Sequence, residues 1–237
     1  MREQPKIRNY VHDMPWDEIP GHLVKIGRQI DEFIKTAAQK TRRTNENVLF
    51  IKCLEKARGL VQMFQSSWES NLIGMCVATR SMLELNLLIR KFETDPEYRL
   101  KFLYTALWQE EAIINNFLKL NSNGFAAKTL KERLSQLKDI EKRHKLERAS
   151  YEIKKINWDL FAKRFNIADD YDTIYRYSSI ILHITPLSIF RIEDMLEEKS
   201  EKDALLNMFL VMFQVYLFDA VKRISDILNV QVPSFGV

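Results

Sequence analysis

Asp172, Tyr175, Arg176, Ser179 and His183, within the stretch DTIYRYSSIILH, are five side chains whose types and spacing suit shared acid–base chemistry. A helix turns about 100° per residue, so with Tyr175 at zero, Ser179 falls near 40°, Asp172 near 60°, His183 near 80° and Arg176 near 100°. Ile174, Ile181 and Leu182 lie on the opposite side. One stripe of the predicted helix therefore collects a carboxylate, a phenol, a guanidinium, a hydroxyl and an imidazole. Pro186 ends or kinks that helix just beyond His183. The negative end of the helix dipole then favours imidazolium, which suits a general acid working near neutral pH. The bland alternative is a histidine hydrogen-bonded inside a bundle, with Tyr175 and Ser179 completing a satisfied network. A Ser179–His183 nucleophile pair is the weaker idea, because a mid-helix serine lacks the strained turn and oxyanion donors that such chemistry uses.

A second pair stands in an earlier apolar helix. Arg80 and Glu84 are one turn apart, and Ile73, Cys76, Val77, Leu87 and Leu88 flank them. An ion pair within an apolar face is costly to desolvate and needs a partner. Arg80 and Glu84 are therefore expected to meet the polar stripe of the His183 helix, either as part of a site or as a pair that fixes helix register.

These side chains must be positioned by helices. Nearly everything after Pro20 has helical rather than alternating periodicity. The expected segments begin with Asp17 or Gly21 to about Gln39. One capped by Thr44 follows, running to about Ser70, and then one capped by Asn71. Asp95-Pro96 opens a fourth segment, to about Leu120, because Asp can cap and proline tolerates the first helical position. After the loop NSNG comes a charged helix, about Ala126 to Lys155, with ten Lys/Arg and five Asp/Glu. Leu130, Leu134, Leu137 and Ile140 form its apolar stripe. Its cations could track a polyanion, but the interleaved acids favour a solvated face. Shorter segments surround Trp158–Phe165 and Asp170–His183. Helices through Leu187–Glu198 and from about Lys202 to Leu228 complete the chain.

The expected architecture is all-α, a single bundle of eight to nine helices over residues 17–237, preceded by an extended arm over 1–16. Composition agrees: 46% apolar and 29% charged residues mark a folded globular chain, and six Gly with six Pro are too few to punctuate a many-stranded sandwich. The net charge of +4 permits nucleic-acid contact without arguing for it. Met1–Trp16 has no apolar core of a signal peptide. Leu205–Phe218 falls short of the about 20 apolar residues of a membrane span, so it is expected at the centre of the bundle or at a subunit interface.

Several functions find no support. There is no G-x-G-x-x-G, P-loop or G-x-S-x-G. Glu141-x-x-His144 is a single E-x-x-H among only four histidines, whereas a di-iron bundle needs two plus further glutamates. Cys53 and Cys76, 23 residues apart, suggest neither a zinc site nor a disulfide framework but buried apolar residues in a reducing compartment. No metal and no cofactor is expected. Trp68, Trp108 and Trp158 are expected in the core.

The run RSMLELNLLIRKFETDPEYRLKF, followed by YDTIYRYSSIILH, resembles a bacterial family of all-helical proteins of unknown function, marked by R-S-x-x-E and Y-R-x-x-S-x-x-x-H. Arg80, Ser81, Glu84, Tyr175, Arg176, Ser179 and His183 carry the resemblance, which covers roughly Leu72 to Pro186. More distantly, Arg176 and His183, six residues between them, resemble the R-x(4–6)-H motif of HEPN domains. That resemblance implies a HEPN-like core with extra N-terminal helices, a cytoplasmic homodimer, and metal-independent cleavage of RNA in a toxin or phage-defence system. An antitoxin or defence-system protein would be a partner, and no membrane is implied. Arg176 would hold the scissile phosphate and His183 would move protons at the ribose 2′-hydroxyl or the leaving oxygen, with Arg80, Glu84, Tyr175, Ser179 and Asp172 in support. Tyr177 and Thr185 depart from the residues usual in such nucleases. The other reading of the same residues is a non-catalytic helical module that binds a ligand or partner.

Overall fold

The structure, a computed structural model, describes residues 15–120, 123–182 and 197–232. The N-terminal arm up to residue 14, His183, Pro186 and residues 187–196 of the expected Leu187–Glu198 helix lie outside the described residues. The chain is all-α: the described residues form nine α-helices and no strand. They cluster in two compact units, one up to Glu93 together with Trp158 onward, the other Thr94–Asn157.

In the first unit, α1 (Ile19–Lys40) follows a 3-10 turn at Trp16–Glu18 and has proline in its first turn. It buries Leu23, Ile26, Ile30, Phe33 and Ala37, a single face at three- and four-residue spacing. α2 (Asn45–Ser67) begins where Thr44 Oγ1 accepts the Asn47 amide at 3.2 Å. α3 (Leu72–Thr94) begins likewise, with Asn71 Oδ1 accepting the Gly74 amide at 3.0 Å. Gly74 is required by close approach, since a Cβ there would stand 2.0 Å from Ser67 Oγ. α1 and α2 pack together, tied by Arg58 Nε to Asp31 at 2.9 Å.

α7 (Trp158–Arg164), α8 (Ala168–Leu182) and α9 (Lys199–Leu228) complete this unit. α3 and α9 have the length and apolar composition of membrane spans, with mean hydropathy 1.5 and 1.8. Each buries at least half of its most apolar window inside the unit. The Leu205–Phe218 run thus takes the central position expected of it: Leu206, Phe209, Leu210, Phe213 and Leu217 are buried. Phe64 of α2 stacks on Phe213, centroids 4.4 Å apart.

The second unit holds α4 (Pro96–Leu120), α5 (Phe125–Arg143) and α6 (Arg148–Tyr151). Asp95 caps α4 by accepting the Tyr98 amide at 2.9 Å. Trp108 Nε1 donates to Glu141 Oε1 at 2.9 Å, and Arg133 binds Glu110 through two hydrogen bonds of 2.7 and 2.9 Å, joining α4 to α5. The charged helix stops at Arg143 instead of continuing to Lys155. Lys145 takes a left-handed conformation (φ 49°), and the Leu146 amide bonds back to the Glu141 carbonyl at 3.2 Å. The cause is tertiary: beyond α6 the chain runs extended, and the Ile153 amide donates to Thr105 Oγ1 of α4 at 2.8 Å.

Both cysteines are buried, as are Trp68 and Trp108. Trp158 is only half-buried, its ring edge-on to Phe161, because it opens a helix of seven residues rather than crossing the core.

Candidate functional site

α3 presents Arg80 and Glu84 one turn apart, and Arg80 Nε donates to Glu84 Oε1 at 3.1 Å. Both side chains remain about a quarter exposed (26% and 24%), so the pair sits at the edge of the apolar face rather than within it. It faces α8, as its setting requires. The Arg80 guanidinium carbon lies 4.4 Å from the centroid of the Tyr175 ring, and Tyr175 stacks on Tyr171 with centroids 5.5 Å apart. Burial pushes the Tyr171 phenol up, and the Glu84 carboxylate adds to that rise. Arg80, Glu84, Tyr171 and Tyr175 thus form one cluster bridging α3 and α8.

The remaining members of the stripe are placed differently. Asp172 and Arg176 pair with each other on the outer side of α8, Nη2 to Oδ2 at 3.4 Å, with side chains 59% and 77% exposed. Ser179 is half-buried. The fully buried serine is its neighbour Ser178, which lies beside the Cys76 thiol without normal hydrogen-bond geometry. Burial raises the Cys76 thiol, and the Ser178 hydroxyl and the Arg80 charge oppose the rise. His183 is outside the described residues. The structure therefore brings Arg80, Glu84 and Tyr175 together and leaves Arg176 and Asp172 open to solvent.

Tyr171 lies outside the expected set because, at about 320° on the same wheel, it falls on the apolar side with Ile174, Ile181 and Leu182, and it joins the cluster by stacking on Tyr175. A larger omission is the buried polar network between α3 and α9. Asn86 Nδ2 donates to the Tyr216 carbonyl at 3.0 Å and to Asp219 Oδ2 at 2.8 Å. Arg90 reaches both Asn86 Oδ1 (2.8 Å) and Asp219 Oδ2 (2.9 Å). Arg223 binds the same Asp219 oxygen at 2.8 Å and also pairs with Glu93. Burial works to raise the Asp219 carboxyl, yet the Arg223 hydrogen bond and the Arg90 charge hold it below its ordinary value. The Tyr216 hydroxyl donates to Asp170 in the first turn of α8. Burial, then Asp170, pushes that phenol up and keeps it a donor. Asn86/Arg90 and Asp219/Arg223 show the same sign that singled out Arg80/Glu84: polar residues four apart within apolar helices.

In the second unit, Glu141 of the E-x-x-H pattern is engaged by the Trp108 indole, while His144 is exposed. The segment Thr94–Asn157 holds thirteen Lys/Arg and nine Asp/Glu, so it accounts for the whole +4 of the chain. Glu97, Glu110, Glu111 and Glu152 are engaged by cations of the same unit, and Lys138, Lys142, Arg143 and Lys145 are exposed around the end of α5.

A family model described as a family of unknown function (DUF5677) matches residues 47–203, a span that contains Arg80, Glu84, Tyr175 and Arg176. No curated protein and no solved structure matches the chain.

Proposed function

The chain belongs to the family of unknown function DUF5677, and from that premise we propose that it is a HEPN-like, metal-independent endoribonuclease of a toxin or phage-defence system. The observation that carries the reading is Arg176. Its guanidinium is 77% exposed, and the nearby carboxylate holds it only at 3.4 Å, so a phosphate can compete for it. Tyr177, next to Arg176 in the sequence, is 40% exposed, which suits stacking against an unpaired base. The excess of cations in Thr94–Asn157 suits a phosphodiester backbone.

In this reading the ribose 2′-hydroxyl attacks the adjacent phosphorus while the bond to the 5′-oxygen breaks. Arg176 stabilises the charge that builds on the phosphoryl oxygens. His183, seven residues further along the sequence, carries a proton from the 2′-hydroxyl or to the departing oxygen. Arg80 and Glu84 hold Tyr175 in place. The same reading includes a cytoplasmic setting away from membranes, a second copy of the chain, and an antitoxin or defence-system protein as partner.

A second reading rests on a different observation: Arg80, Glu84, Tyr171 and Tyr175 satisfy one another, and Arg176 has a carboxylate within its own helix. The chain would then be a non-catalytic module that binds a ligand or partner. RNA cleavage in EDTA separates the two. Cleavage by the wild type, lost in both Arg176→Ala and His183→Ala with helicity unchanged, supports the nuclease. A folded wild type inert toward structured and unstructured RNA favours the binding module.

A further inference from the structure

α4 is apolar on two opposite faces. Its inward face buries Thr105, Trp108 and Ile114. On the outward face Ala106, Gln109, Ile113, Phe117 and Leu120 recur every three or four residues, and all five are exposed. Ile113 and Phe117 are each 57% exposed and Leu120 85%. An amphipathic helix needs one apolar stripe, and among the described residues nothing covers this second one. Three large apolar side chains one turn apart also form the kind of contiguous patch that marks an interaction surface.

We propose that this face joins two copies of the chain, the two α4 helices crossing antiparallel about Ile113. Two features select a second copy over another partner. A two-fold interface sets a patch against itself, so any charge in it repels its own image; this stripe has none. The stripe is also self-complementary in size. In an antiparallel pair centred on Ile113, Phe117 faces Gln109 and Leu120 faces Ala106, so large residues meet smaller ones along the seam.

The nuclease reading already includes a second copy of the chain, and this inference adds the face that joins the two. A dimer through this face that is inert toward RNA removes the nuclease and leaves the interface, and a monomer that cleaves RNA removes the interface and leaves the cleavage. The test is sedimentation equilibrium on the full chain over the micromolar range. Wild type should give twice the 28.1 kDa of one chain, and Phe117→Glu should give 28.1 kDa with unchanged helicity. Ile73→Glu, an exposed apolar position in the other unit, should remain dimeric. Ile113→Cys should form a covalent dimer on mild oxidation, with the buried Cys53 and Cys76 as silent background. This cross-link also decides the matter should Phe117→Glu fail to fold. A monomeric wild type, a dimer that survives Phe117→Glu, or an Ile113→Cys that does not cross-link overturns the proposal.

Discussion

The Arg80 guanidinium lies over the face of the Tyr175 ring, 4.4 Å from its centroid, while its Nε holds Glu84 at 3.1 Å. One cation therefore links the middle of α3 to the exposed side of α8, the helix that also carries Arg176. The arrangement leaves Tyr175 fixed, while Arg176, paired with Asp172, faces solvent. In the nuclease reading this contact gives Arg80 the part of a positioning residue.

A double-mutant cycle on Arg80→Ala and Tyr175→Leu should return a coupling of about 0.5–1 kcal/mol, the size of a half-exposed cation–π contact. Urea denaturation measures it. Additive losses would mean that the two side chains are neighbours without mutual stabilisation.

Asp219 gathers Asn86, Arg90 and Arg223 on one oxygen. Asp219→Asn leaves two guanidinium groups without that carboxylate and should destabilise the chain by about 3 kcal/mol at neutral pH. Because the folded state holds this carboxyl below its ordinary 3.8, its contribution is complete above that value and disappears as pH falls through the lower folded value. The stability gap between wild type and Asp219→Asn should accordingly narrow below about pH 4. A gap constant from pH 7 to pH 3 would contradict the assignment.

Tyr216→Phe removes the hydroxyl that Asp170 accepts and should cost about 1.5–3 kcal/mol, as for other hydrogen bonds to a charged group. Its local signature is faster amide exchange along Ala168–Leu182, because the bond anchors the start of that helix to α9. Exchange that accelerates equally in every helix would show only global destabilisation.

Lys145 carries a left-handed backbone at the end of α5. Lys145→Gly should raise stability by about 0.5–1 kcal/mol, since glycine adopts this conformation without steric cost. A thermal melt detects the change, and a lower melting temperature would show that the Lys145 side chain outweighs the strain.

Should the chain bind RNA, Lys142→Glu with Arg143→Glu should weaken binding to all sequences alike. It should also flatten the dependence of log affinity on log salt by about 0.7 per lost phosphate contact for single strands. A change confined to one sequence would instead implicate base recognition.

Much of this protein is legible without coordinates because the relevant forces are local. Thr44, Asn71 and Asp95 cap the helices that their positions in the sequence assign to them, since a side-chain oxygen three residues ahead of a free amide needs no tertiary help. Apolar residues at three- and four-residue spacing locate the helices and identify the run within α9 as a central element. The stop at Arg143 is not legible: neither glycine nor proline marks it, and the contact that selects it, Ile153 with Thr105, spans 48 residues. Nor can a helical wheel tell that Arg176 turns outward with Asp172 while Tyr175 turns toward Arg80. Periodicity fixes the angle between side chains on one helix, whereas only packing decides which angle faces the neighbour. Asn86 and Asp219 make the same point at larger scale: each is an ordinary polar residue in its own helix, and only the juxtaposition of α3 and α9 makes them one buried network.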